Sequence, residues 1–211
     1  MGADVGPIYD AVVNGRRAEA EAKVGEALER GIPPEKILND GLIAAMKEVG
    51  DRFECGEFYV PEMLIAARAM QSGLAVLKPR LTQLGVKARG KAVIGSVRGD
   101  LHDIGKNLVA MMLEGAGFEV VNLGTDVSPE RFAAAVREHA PGLVGMSALL
   151  TTTMTSMKAT VEAIESIGLR DKVKIIVGGA PISEDFARSI GADGYAPDAS
   201  RAVTLAKSLL Q

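Results

Sequence analysis

The sequence has no tryptophan and only eight other aromatic residues, three tyrosines and five phenylalanines, among 211 positions. Any core must therefore be built from Ala, Val, Leu, Ile and Met. A single cysteine, Cys55, excludes an intramolecular disulfide and any multi-cysteine metal site. No window approaches the roughly 18 consecutive apolar residues of a membrane-spanning helix. The opening MGADVGPIYD lacks the basic-then-apolar order of a secretion signal, so a cytoplasmic protein is expected. A net charge of −3 supplies no general attraction to nucleic acid or to anionic membranes, and neither is expected as a partner. Three catalytic signatures are also missing. There is no GxGxxG after the first predicted strand, no GxxxxGK[ST] and no GxSxG, which argues against dinucleotide, nucleoside triphosphate and serine-hydrolase chemistry.

The residues that are present fall into two rhythms. From about Pro7 to Leu84 apolar positions recur at three and four residues: Val24, Ala27 and Leu28, then Ile37, Leu38, Leu42, Ile43, Met46 and Val49. Gly31 can close one helix and Pro33-Pro34 suits the first turn of the next. A further helix begins near Pro61 and runs through Met63, Leu64, Ala67, Met70, Leu74 and Leu77. Four helices with short connections make a small bundle.

After a polar linker, Val86-Lys87-Ala88-Arg89-Gly90, short apolar runs alternate with amphipathic stretches. The predicted strands are Lys91–Val97, Phe118–Leu123, Leu143–Ser147, Val173–Val177 and Gly194–Ala196. The intervening helices lie near Ile104–Gly115, Pro129–His139, Thr153–Ile167 and Glu184–Ile190, with a last one from Ala199 to Leu210. This alternation predicts a parallel sheet covered on both faces. The expected architecture is α/β: a helical bundle over 1–88, then a flavodoxin-like five-stranded domain over 89–211 with strand order 2-1-3-4-5.

Ligands of such sheets sit beyond the carboxyl ends of the strands, at the switch point between the first and third. The unusual residues fall there: Gly99-Asp100-Leu101-His102-Asp103-Ile104-Gly105 after the first strand, Ser147 to Thr153 after the third, and Gly178-Gly179 after the fourth. His102 is one of two histidines. A metal-binding imidazole needs its second nitrogen held by an acceptor, and Asp100 is the natural holder. Read alone, His102 is more readily a solvated loop residue or a helix cap, and an N-cap accounts for one or two of the hydroxyls of Ser147, Thr151, Thr152 and Thr153 but less well for four within seven residues. His139, near the end of an amphipathic helix, receives no role. Cys55 has no evident activating partner and reads as a packing or loop residue.

Together the three loops resemble the signature of cobalamin-binding domains, Asp-x-His-x-x-Gly, Ser-x-Leu and Gly-Gly. Here they read Asp100-Leu101-His102-Asp103-Ile104-Gly105, Ser147-Ala148-Leu149 and Gly178-Gly179, with gaps of 41 residues (106–146) and 28 residues (150–177). The helical half, in Gly56-Glu57-Phe58-Tyr59-Val60-Pro61-Glu62-Met63, looks like the cap of methyl-transferring members. These include the cobalamin module of methionine synthase and the corrinoid proteins of methylamine, methanol and aryl-ether systems.

The resemblance implies a cobalamin or related corrinoid cofactor, with His102 as the lower ligand of cobalt and Asp100 and Thr153 completing a relay behind it. It implies that the cofactor's nucleotide tail threads past Ser147, Leu149, Thr151, Gly178, Gly179 and Ala199. Phe53, Val60 and Met63 of the cap would cover the upper face of the corrin. The implied protein is a carrier, a non-autonomous component of a methyltransferase system. Its partners would be a substrate-activating methyltransferase, an acceptor methyltransferase and a corrinoid reductive activase. The alternatives are a cobalamin-binding mutase subunit, which lacks a four-helix cap, and a cobalamin-dependent sensor, which would need a basic DNA-binding domain not seen here. A generic receiver domain would carry an acidic cluster after the first strand, and none is present.

Overall fold

The computed structural model describes residues 4–86 and 88–210. Residues 1–3, Lys87 of the linker and Gln211 lie outside the described residues. The chain divides into two compact units. One holds the residues up to Ala88 together with Glu114–Gly117, and the other holds Arg89–Leu113 and the residues from Phe118 onward.

The first unit is helical. α1 (Gly6–Val13) and α2 (Arg17–Glu29) are followed by α3 (Pro34–Lys36), a π-helical stretch Ile37–Ile43 and α4 (Ala44–Glu54). The last three run on as one continuous rod, so four helical rods form the unit among the described residues. The fourth is α5 (Val60–Gln83). Pro34 occupies the first turn of α3, where its missing N–H costs nothing. At the start of α5 the Tyr59 N–H donates to the Glu62 carboxylate at 3.0 Å, satisfying one of the amides that the helix itself cannot. The core is aliphatic and thioether, as the scarcity of aromatics requires: Ile8, Val12, Val24, Ile37, Leu42, Met46, Met63, Met70 and Leu77 are fully enclosed.

The second unit is a parallel sheet in the order β2-β1-β3-β4-β5. Its strands are β1 (Lys91–Ser96), β2 (Glu119–Asn122), β3 (Leu143–Ser147), β4 (Lys174–Gly178) and β5 (Gly194–Tyr195). The helices are α6 (Ile104–Gly115), α7 (Pro129–His139), α8 (Thr155–Ser166), α9 (Glu184–Ser189) and α10 (Ala199–Leu209). The α/β architecture expected from the alternating pattern is the one observed. β1 is buried along Ala92–Ser96 on both faces, as a central parallel strand must be.

Val93, Val144, Ile175 and Val177 pack with Phe132, Val136, Met157, Val161 and Ile164 in one cluster. Phe132 is the largest fully buried side chain; burying a group of this kind stabilises the unit by roughly 1.5–3 kcal/mol. Register fixes the functional edge. Ser96 pairs with Ser147, and Ser147 with Gly178, so the loops that follow β1, β3 and β4 leave the sheet side by side.

Candidate cofactor site

β1 ends at Ser96, and the chain crosses an irregular stretch before α6 begins at Ile104. Asp100 lies within it, fully buried, and holds both sides of the edge together. Its Oδ1 accepts the His102 backbone N–H at 3.0 Å and faces His102 Nδ1 at 2.9 Å. Its Oδ2 accepts the Leu149 N–H at 2.7 Å and the Leu150 N–H at 3.3 Å. The Thr153 hydroxyl lies 2.8 Å from Asp100 Oδ2 and 2.8 Å from the Leu150 carbonyl oxygen, so its one proton is shared between two acceptors. Burial raises the Asp100 carboxyl. The bonds from the Leu149 amide, the Thr153 hydroxyl, the His102 amide and the His102 imidazole more than offset that, holding the group well below the usual carboxylate range.

An ionised carboxylate can only accept, so Nδ1 carries a proton, and in the neutral ring Nε2 is then the nitrogen with the lone pair. His102 is 51% exposed, and among the described residues Nε2 has no hydrogen-bond partner. That is the arrangement of a metal-ligating imidazole. No group of three or more His, Cys, Asp or Glu suited to hold a metal occurs among the described residues. A lone imidazole suits a metal whose other ligands come from a macrocycle.

The surroundings fit a large apolar-faced cofactor. Leu101 and Ile104 are 74% and 72% exposed, and Leu149 and Leu150 stand out similarly on the neighbouring loop. These four exposed aliphatic side chains stand on the two loops that Asp100 joins, and exposed apolar surface of this kind marks a binding site. A Cβ at Gly105 would meet nothing within 4 Å, so the edge is open there. Gly179 is different. Its φ of +125° and the Ala148 carbonyl oxygen, which a Cβ would overlap, both require glycine. Gly179→Ala is therefore expected to destabilise this unit by on the order of 3 kcal/mol. Denaturant unfolding checks it, and an unchanged midpoint would refute the close approach.

Of the residues singled out in the sequence, Asp100, His102, Leu149 and Thr153 join one hydrogen-bonded network, and Leu101, Ile104 and Gly105 surround it. Asp103 is exposed and accepts from Asn107 Nδ2 at 2.9 Å. Ser147, Gly178 and Gly179 line the adjacent strand ends half-buried, Thr151 is exposed, and Ala199 is buried at the start of α10. In the helical unit Met63 is fully buried, Phe53 half-buried and Val60 38% exposed.

The sequence reading passed over a supporting layer. Asp126 accepts the Gly99 N–H at 2.7 Å, and its own N–H donates to the Asp100 carbonyl at 3.0 Å. It does so from a left-handed backbone with φ of 53°. Lys106, buried in the first turn of α6, donates to Asn107 Oδ1 at 2.5 Å and Asn122 Oδ1 at 2.8 Å. Burial pushes its ammonium below the ordinary lysine value, with Asp103 opposing. Asn122 Oδ1 also accepts the Gly124 N–H at 3.0 Å. The signal was the polar Asn122–Asp126 segment: with β2 beside β1, it has to run next to the Asp100 loop.

A doubly wound sheet that presents one carboxylate-held imidazole among exposed aliphatics defines a metallocofactor-binding α/β domain. Comparison with known proteins gives the family. A model described as B12 binding domain matches residues 90–204, and a second of the same description matches residues 7–78. The trimethylamine corrinoid protein of Methanosarcina barkeri is 44% identical over 193 residues, covering 90% of this chain and 89% of that protein. Among solved structures, a cobalamin-binding protein from Desulfitobacterium hafniense DCB-2 superposes with a TM-score of 0.80 at 31% identity, covering 98% of both chains. The methanol:cobalamin methyltransferase complex of Methanosarcina barkeri gives 0.87 at 30% identity, covering 98% of this chain and 79% of that one. The chain belongs to the B12-binding family, and its cofactor is cobalamin or a related corrinoid. No helix among the described residues is long and apolar enough to cross a membrane.

Proposed function

We propose that this chain is a methyl-carrying corrinoid protein in which His102 Nε2 is the lower ligand of cobalt. The observation that carries the reading is the half-exposed imidazole held at Nδ1 by Asp100, on a loop that also exposes Leu101 and Ile104. The bound corrinoid's cobalt supplies the site that accepts and releases a methyl group. The protein's own part would be to hold an imidazole in one tautomer through Asp100 and to keep water off the edge with aliphatic side chains. Ser147, Leu149, Thr151, Gly178, Gly179 and Ala199 are assigned to the cofactor's nucleotide tail, its base displaced by His102. Thr153 steadies Asp100 from behind.

Corrinoid proteins of methylamine systems and the methanol:cobalamin methyltransferase complex are the relatives that support this reading. By analogy the partners are a substrate-activating methyltransferase, an acceptor methyltransferase and a reductive activase. Loaded with methylcobalamin, the protein should surrender its methyl group to an acceptor methyltransferase of a methylamine system faster than free methylcobalamin does. Equal rates would count against the carrier role.

The helical unit, residues 1–88, is assigned the role of a cap over the upper corrin face, through Phe53 and Val60; Met63, fully buried in the core of the unit, supports them from within. Transfer would then require the cap to leave that face. Phe53→Ala removes a contact made only in the closed state and so shifts the balance toward the open one. Photolysis of bound methylcobalamin should quicken several-fold, while corrinoid affinity changes little. A folded variant, checked by circular dichroism, whose methylcobalamin is as light-resistant as the parent's would remove Phe53 from the cap.

A further inference from the structure

Every polar group that fixes His102 has been accounted for except its carbonyl, and the residue that holds it lies in the sheet. Ser96, the last residue of β1, is fully buried, and its hydroxyl donates to the His102 carbonyl oxygen at 2.6 Å. Its own main chain is committed: the Ser96 N–H donates to Gly124 O at 3.0 Å, and Ser96 O accepts from Val127 N at 2.9 Å. The strand also pairs it with Ser147. The hydroxyl is thus mounted on a strand paired on both sides and reaches six residues ahead into an irregular stretch. His102 is consequently gripped three times: at its N–H and Nδ1 by Asp100 Oδ1, and at its carbonyl by Ser96. Asp100 orients the ring about its own axis and sets its tautomer. It ties the stretch sideways, to the loop after β3, through the Leu149 and Leu150 amides and the Thr153 hydroxyl. Ser96 ties that stretch to the sheet.

We propose that Ser96 is a positioning residue for the metal ligand, fixing the distance of His102 from the strand ends and so the fraction of bound corrinoid that takes histidine as its lower ligand. The proposal rests on the reading of His102 as the cobalt ligand, and its test has one arm that needs no cofactor. Ser96→Ala deletes the hydroxyl, and Ser96→Cys keeps nearly its volume with a much weaker donor. In the apo protein, amide exchange across residues 101–104 should rise about tenfold in both variants, the size expected for losing one hydrogen bond that limits local opening. Exchange in β3 and β4 should stay at the parent's level. In protein loaded with cob(II)alamin, both variants should show a smaller nitrogen-ligated fraction by paramagnetic resonance at unchanged corrinoid affinity. A residue that served only the stability of the sheet would raise exchange throughout the domain and leave the ligated fraction alone.

Parent-like exchange at 101–104 in both variants overturns the proposal, as does a loosened stretch with an undiminished ligated fraction. A parent protein without any histidine-ligated signal would instead overturn the reading of His102 itself. The two failures are distinguishable, because only the second appears in the parent.

Discussion

His102→Ala should fold as the parent does and bind a corrinoid whose lower face has lost its protein ligand. The side chain is half exposed, so its removal leaves no cavity, and a stability change within about 1 kcal/mol is expected. Asp100 keeps the Leu149 amide and the Thr153 hydroxyl, so the buried carboxylate is not stranded. What changes is the cofactor. The visible spectrum should move to that of a corrinoid without histidine beneath it, and millimolar imidazole should restore the parent spectrum by entering the space the side chain left. A parent-like spectrum in the variant without added imidazole would remove His102 from the metal.

The second large effect is expected at Asp100. Asparagine has nearly the same shape, yet it carries two donors on one side of the amide. Every group around Asp100 is itself a donor: the His102 N–H and Nδ1–H on one oxygen, the Leu149 and Leu150 N–H groups and the Thr153 hydroxyl on the other. If the amide NH2 faces Leu149, donor meets donor in a buried site. If it faces the imidazole, Nδ1 must become the acceptor, the proton moves to Nε2, and the lone pair aimed at the metal is gone. Either way Asp100→Asn should weaken histidine ligation by roughly 1–3 kcal/mol. Histidine-on and histidine-off populations of the loaded variant measure this, and populations equal to the parent's would reduce Asp100 to a loop cap.

The apo protein carries a second signature of the same group. A carboxyl held below its unfolded value contributes stability that is complete above the unfolded value, near pH 4, and is lost as pH falls through the folded one. The stability gap between parent and Asp100→Asn should therefore persist at neutral pH and narrow only in strong acid.

The legible parts of this molecule were those whose signal is local. Strand β1 could be read from Lys91 to Val97 because a central parallel strand is apolar on both faces, and α6 and α7 from their amphipathic repeats. His102 and Asp100 lie two residues apart, so their pairing needed no knowledge of the fold. Thr153 is 53 residues from Asp100, and its place came from family spacing rather than from periodicity. Ser96 was hidden because a serine ending an apolar strand is ordinary, and its partner is a carbonyl that no side-chain pattern reveals. Asp126 and the Lys106–Asn122 link depend on β2 lying beside β1, a fact of topology. In the helical unit the rod from Pro34 to Glu54 read as helix throughout. The π-helical stretch Ile37–Ile43 inside it is a change of hydrogen-bond register to which hydrophobic spacing is blind.

The central claim is that a histidine of this chain ligates the cobalt. The most direct measurement loads the protein with cob(II)alamin after growth on histidine labelled with nitrogen-15 and records its paramagnetic resonance. A single axial nitrogen-14 splits each cobalt line into a triplet, and nitrogen-15 splits it into a doublet. The chain has two histidines, and His139 sits on α7, outside the irregular stretch that carries His102. Conversion of triplets to doublets on labelling, abolished in His102→Ala, is the expected result. Triplets that survive the label would mean that the cofactor's own base still holds the metal, and would contradict the account.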